Sequence, residues 1–241
     1  MSKLYVVPTP VGNMGDITLR ALEVLKRVSF VMAEDTRTTS ILFKHFDIKT
    51  PLVSYHKFNE HGVVDRYADR IETCAEAALV SDAGTPAISD PGYLLVRCCI
   101  DRGIAVECLP GATALIPALV SSGLPADKFA FEGFLPQKKG RMTAIEKLKE
   151  ETRTMILYES PYRLVKLLTQ LSEALGSERR ACVCREISKI HEEAARGTLA
   201  ELITTFTERQ PKGEIVVVVE GAGKTATTIQ DVDETEEEDN E

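Results

Sequence analysis

Short apolar runs rich in β-branched residues alternate with helically spaced apolar residues along nearly the whole chain. This alternation confines the fold to the α/β class, with a mainly parallel sheet. Leu4–Val7, Ser29–Ala33, Ala77–Ser81 and Ile104–Leu109 are strand-like, as are Phe129–Glu132, Thr154–Tyr158, Arg180–Arg185 and Glu214–Glu220. Between them, Asp16 is placed to cap a helix with Ala21, Leu22, Leu25 and Val28 on one face. Asp90-Pro91-Gly92 opens another helix, which Gly103 ends. Ser160-Pro161 opens a third, whose leucines at 164, 167, 168, 171 and 175 form a core stripe. The turn-rich VSSGLPAD segment, 120–127, divides the chain into an N-terminal α/β domain, 1–121, and a C-terminal α/β domain, 122–224.

The formal charge of −8 argues against a nucleic-acid partner until its location is considered. Residues 225–241 carry eight acids and no Lys or Arg, which leaves 29 acids against 29 bases in the body. That tail lacks apolar periodicity and is expected to be disordered. The apolar runs are strand-sized, far below the roughly 20 residues of a membrane-spanning helix, and the MSKLYVV start lacks a signal-peptide pattern. A cytoplasmic protein with no membrane association is expected. Cysteines at 74, 98, 99, 108, 182 and 184 show no C-x-x-C or zinc-like spacing. They read as small hydrophobes of a reducing compartment, Cys108 sharing a strand face with Ile104 and Val106.

Ligands of open α/β sheets bind beyond the carboxyl ends of the strands. Four loops at such positions combine proline or glycine with polar groups: 8–16 (PTPVGNMGD), 34–37 (EDTR), 82–86 (DAGTP) and 110–113 (PGAT). Proline fixes the backbone, and glycine allows a ligand to approach it. Together the loops indicate a small-molecule cleft. The P-loop pattern fails because position 218 is Val, and Gly12 and Gly15 do not complete a dinucleotide fingerprint. The four histidines form no H-E-x-x-H, and there is no G-x-S-x-G elbow, so metal-hydrolase and serine-hydrolase readings drop out and no metal is expected.

The ordered strings LYVVPTPVGNMGDITLRALEVL, AEDTR, SDAGTPAISDPG, LPGATA, FEGFLP, YESPYR and KGEIVVVVEG carry a resemblance. They resemble the ribosomal RNA small subunit methyltransferase I family, within the tetrapyrrole-methylase-like class of S-adenosylmethionine (SAM) enzymes. The resemblance runs from about residue 4 to 221. Two departures stand out: Tyr162 replaces a common His of the YESPHR-type motif, and Phe58 replaces the second His of H-x-H-N-E.

The resemblance implies two α/β domains with SAM in the cleft between them, in a homodimer. It implies methylation of the ribose 2′-hydroxyl of a cytidine in the decoding region of 16S rRNA in the small ribosomal subunit. By motif, SAM contacts fall to Pro8, Asp82, Ala83, Gly84, Thr85, Pro86, Ala112, Thr113, Tyr158 and Gly213. A base near the hydroxyl would aid transfer. Asp35, His56, Glu60, Asp82 and Glu159 are the candidates, and the sequence does not choose among them. Phosphate contacts are expected from Lys138, Lys139 and Arg141, with Arg37 and Arg163. A tetrapyrrole or protein acceptor is the alternative, disfavoured because the first loop reads PTPVGNMGD instead of a G-x-G-P-G-type string.

Overall fold

The computed structural model describes residues 2–223, so the acidic tail lies outside the described residues. The chain forms two compact units. The first runs to Ala118 and includes Arg185–Glu193; among the described residues, the second comprises Leu119–Cys184 and 194–223.

In the first unit, β1 (Lys3–Val6), β2 (Val31–Ala33), β3 (Leu52–Ser54), β4 (Glu76–Val80) and β5 (Ala105–Cys108) form one sheet. Its order is β3-β2-β4-β1-β5, and the pairs are parallel. Helices α1 (Leu19–Arg27), α2 (Thr36–His45), α3 (Glu60–Glu72) and α4 (Tyr93–Asp101) connect the strands, and α5 (Leu115–Ser122) follows β5. Alternate residues of each strand enter different cores. Tyr5, Val31 and Ala33 pack with Val24 and Leu25 of α1 and Phe43 of α2. Leu4, Met32 and Leu79 pack with Tyr67 and Ile71 of α3 and Leu95 of α4. Both faces are therefore covered, as a parallel sheet requires.

Two local expectations need correction. Thr18, not Asp16, caps α1: its side chain accepts the Ala21 amide at 3.0 Å, while Asn13 caps a single 3-10 turn over Met14–Asp16. A polar residue can cap only the turn it directly precedes, and the 13–16 turn occupies Asp16 itself. Cys108 is exposed and not in the core; Cys99, Cys182 and Cys184 are the fully buried thiols.

In the second unit, β6 (Phe129–Phe134), β7 (Thr154–Glu159), β8 (Arg180–Arg185), β9 (Glu193–Thr198) and β10 (Ile215–Val219) are ordered β6-β7-β10-β8-β9. β6 and β7 are parallel and β10 is antiparallel to β7, so this sheet is mixed. α6 (Arg141–Lys147), α7 (Leu164–Leu175) and α8 (Leu199–Glu208) complete the unit. The leucine stripe of α7 is buried against Val217 and Val219 of β10 and Phe206 of α8, as its spacing predicts. No helix among the described residues is long and apolar enough to cross a membrane.

Candidate functional site

Three of the four unusual loops meet at the carboxyl end of the first sheet. Thr9 and Gly84 exchange both backbone hydrogen bonds at 2.9 Å, joining the loops after β1 and β4. The Thr9 hydroxyl donates to the Ser81 carbonyl at 3.0 Å, and the Thr85 hydroxyl donates to the Ala112 carbonyl at 3.0 Å, which brings in the loop after β5. Two glycines make this convergence possible. Gly84 sits at φ +81°, where a side chain is strained and would point toward the Ala112 carbonyl and Val11. Gly111 lies so close to Pro8 that an added Cβ would stand 2.7 Å from the Pro8 Cβ.

Beside this junction is a cavity of about 420 Å³, lined by Val11, Asp16, Gly111, Ala112, Thr113, Ile116, Pro117, Ile187 and Ser188. Apolar walls with a few polar groups and open glycine backbone suit a small organic ligand, and the volume lies within the range of such sites. Ala112 and Thr113, expected from their motif, line the cavity directly. Pro8, Gly84 and Thr85 shape its wall from behind through the contacts above. Ile187 and Ser188 were not anticipated. They come from the 185–193 excursion, where Glu186 and Ser188 take left-handed backbone at φ +51° and +64°. Such strain in non-glycine residues gathers at functional sites. Gly12 also packs on the Lys189 side chain, which holds the excursion against the first loop.

A second cluster lies at the ends of β2, β3 and β4. The Asp35 amide donates to Asp82 Oδ1 at 3.1 Å. Asp35 is the N-cap of α2 and ion-pairs with exposed Arg37 at 2.6 Å, which holds its carboxyl down at about 2. So acidic a group is a weak proton acceptor, and Arg37 is committed to it. Asp82 shifts the opposite way, chiefly through desolvation, while remaining reachable from solvent. Half-buried Glu34 is also raised, first by burial and then by the charge of Asp82, and it senses His56. Glu34 belongs to the 34–37 loop but not to the candidate bases, although its place directly after a buried strand and before Asp35 was the available signal. The His56 amide donates to Asn59 Oδ1 at 2.8 Å, and its buried Nδ1 has no hydrogen-bond partner.

In the second unit, Tyr158 packs edge-on against Phe131 and Phe134, with ring centroids 5.0 and 5.5 Å away. Gly213 takes left-handed backbone, φ +87°. Lys138 and Lys139 are exposed. Arg141 is not part of an exposed cluster with them: it is 4% exposed and donates to Gln170 Oε1, the Pro136 carbonyl and Glu159 Oε2. Buried Glu159 also accepts from Arg163 at 2.8 Å and from the Ser160 amide at 2.8 Å, so both its oxygens are occupied. That removes Glu159 as a base and Arg141 as a phosphate contact. Glu60 begins α3, half-buried. No group of three or more His, Cys, Asp or Glu among the described residues could hold a metal.

Residues 3–203 match the family model for tetrapyrrole (corrin/porphyrin) methylases. The chain belongs to that family. Methylases of this family take their methyl group from SAM, and the cavity fits such a donor: glycine-opened backbone at 111–112, apolar walls, and polar Asp16, Thr113 and Ser188. A ribosomal RNA small subunit methyltransferase I of Synechocystis sp. is 51% identical over 92% of this chain and 80% of its own length. Its namesake in Thermotoga maritima is 43% identical over 92% of this chain and 99% of its own. Diphthine synthase shares the fold at a TM-score of 0.71 with 14% identity, covering 91% of this chain and 90% of that one. Uroporphyrin-III-C-methyltransferase of Thermus thermophilus does so at 0.64 with 22% identity, covering 90% and 94%. At those identities the likeness concerns the fold alone.

Proposed function

We propose that this methylase acts on the small ribosomal subunit, transferring a methyl group from SAM to the ribose 2′-hydroxyl of a cytidine in the decoding region of 16S rRNA. The observation that carries the reading is the junction of the 8–16, 82–86 and 110–113 loops around a ligand-sized cavity, in a chain whose close relatives are named for rRNA methylation. When bound, SAM supplies a methyl group on a sulfonium, already activated for displacement.

The chain's own residues then have two tasks. The first is positioning: proximity and alignment of the reacting groups contribute roughly 7–11 kcal/mol to such reactions. Rigid Pro8, the Thr9–Gly84 clasp and the Thr85–Ala112 bond give the loops that rigidity. The second is removal of the hydroxyl proton, worth about 10²–10⁴ in rate. Among the candidate bases, Asp82 and His56 are better suited than Asp35, which Arg37 keeps strongly acidic. Lys138 and Lys139 are the proposed phosphate contacts, with Arg163 offering its exposed edge. A cytoplasmic homodimer completes the proposal.

The acceptor class is tested by incubating the protein with labelled SAM and, separately, unmethylated small subunits, uroporphyrinogen-type tetrapyrroles and a total protein extract. Label in the subunit RNA is expected. Label confined to tetrapyrrole or protein would overturn the assignment.

A further inference from the structure

The corner of the second unit where β6 and β7 end presents aromatic surface that its core does not use. Phe134 is 56% exposed although its ring packs edge-on to Tyr158, and Tyr162 is 88% exposed in the turn after β7. Singly exposed apolar residues are ordinary, but exposed aromatics grouped at one corner mark a surface for a partner. The turns bearing them are not loose. Arg141 spans from the Pro136 carbonyl to Glu159, and Glu159 in turn holds Arg163 and the Ser160 amide. A buried network therefore fixes the 136–141 and 159–163 turns beside each other while leaving Phe134 and Tyr162 outside it.

The charge around these rings is cationic. Lys138 and Lys139 are exposed on the 136–141 turn, and Lys166 is exposed on the first turn of α7. The carboxylate built into the corner, Glu159, is buried and neutralised by two guanidiniums. Glu132, two residues before Phe134 on β6, is exposed, and its charge acts on Arg153, which is ion-paired with Glu151. Exposed aromatic faces interleaved with free lysines, on a rigid backbone, are the chemistry by which unpaired nucleic-acid bases are stacked while their phosphates are neutralised. An acidic protein segment would use the lysines but would not need two open rings.

We propose that Phe134 and Tyr162, flanked by Lys138 and Lys139, form a stacking platform for unpaired bases of the RNA substrate. Tyr162 is the residue by which this chain departs from the YESPHR-type string, and its larger ring extends the platform. The inference rests on the rRNA-methylation reading and deepens it, by assigning base contacts to the second unit.

The test uses the full-length protein and fluorescence anisotropy with a labelled single-stranded oligoribonucleotide, beside an abasic strand of equal length. Stacking is expected to favour the normal strand by about five- to hundredfold for each base engaged. In a Phe134→Leu/Tyr162→Leu variant that preference should collapse, with an unchanged salt dependence and only a small fall in melting temperature from the lost Phe134–Tyr158 ring contact. In a Lys138→Ala/Lys139→Ala variant the salt slope should flatten while the preference for bases persists. A leucine variant that keeps the wild-type preference overturns the platform and leaves this face to another class of partner. Methyl transfer to small subunits separates the two failures. If wild-type protein transfers methyl while the leucine variant keeps its base preference, only the platform is lost. If wild-type protein neither transfers methyl nor binds the strand, the parent reading falls and takes the platform with it.

Discussion

Replacing Gly111 by alanine adds one methyl group at a tight point of the proposed ligand site, against the Pro8 ring. That methyl would stand 2.7 Å from the Cβ and 2.9 Å from the Cγ of Pro8, against a comfortable carbon–carbon separation of about 3.5–4.0 Å. The shortfall is roughly 1 Å, and the opposing atoms belong to a ring fused to the backbone, so no side-chain rotation relieves it. Either the loop after β1 or that after β5 must move, and Ala112 and Thr113, which follow Gly111, move with it. Overpacking of this kind costs about 1–3 kcal/mol. In a chain of this size that corresponds to a fall in melting temperature of about 2–12 °C. Donor affinity should fall at least tenfold, because a displacement of about 1 Å in a positioning loop is enough to spoil a preformed site. Calorimetric titration with SAM, beside a thermal melt, measures both effects. Gly103→Ala is the control: at φ +72° it is strained, but an added Cβ meets nothing within 4 Å, so stability should drop while donor affinity holds. Wild-type SAM affinity in Gly111→Ala would refute the placement of the donor in this cavity.

Further outcomes follow from other parts of the molecule. Glu34 is raised above the ordinary carboxylate range by burial and by Asp82, so the folded state binds its proton more tightly than the unfolded state. Its ionisation therefore costs stability, progressively as pH rises from the unfolded value through the folded one. Glu34→Gln should raise the melting temperature at neutral pH and lose that advantage near about pH 4; an equal effect at both would contradict the assignment. Glu159→Gln leaves two guanidiniums facing a neutral amide at a site 3% exposed, and should cost about 3–5 kcal/mol in denaturant unfolding. Thr198→Ala removes the capping box of α8, in which Thr198 accepts the Glu201 amide at 3.2 Å and Glu201 accepts the Thr198 amide at 2.8 Å. About 1 kcal/mol of stability should be lost, again read by denaturant.

The periodic parts of the fold were legible in the sequence, and the polar details were not. The unbroken apolar runs in Val31–Ala33 and Glu76–Val80 report burial on two faces, and the α7 leucines report a single helical face; both patterns follow from local geometry. β9 escaped because EAARGT has no apolar alternation, its residues being at most half-buried at the edge of the sheet. Arg141 resembled its lysine neighbours in sequence, yet a helix start turns it inward onto Glu159, 18 residues away. Ile187 and Ser188 reach the cavity only because Arg185–Glu193 leaves the second unit and packs with the first, a long-range event that no local pattern announces. The loops after β1, β4 and β5 were readable because glycine and proline mark backbone that must come close, although the partners of that approach emerge only from the fold.

The central claim is methylation of a ribose in small-subunit rRNA. Its most direct measurement uses SAM carrying a labelled methyl group and small subunits from cells lacking the modification. The RNA is then digested to nucleosides and the label traced by chromatography and mass spectrometry. The account predicts label in 2′-O-methylcytidine from the decoding region. Label on a base, or in ribosomal protein with none in the RNA, would contradict it.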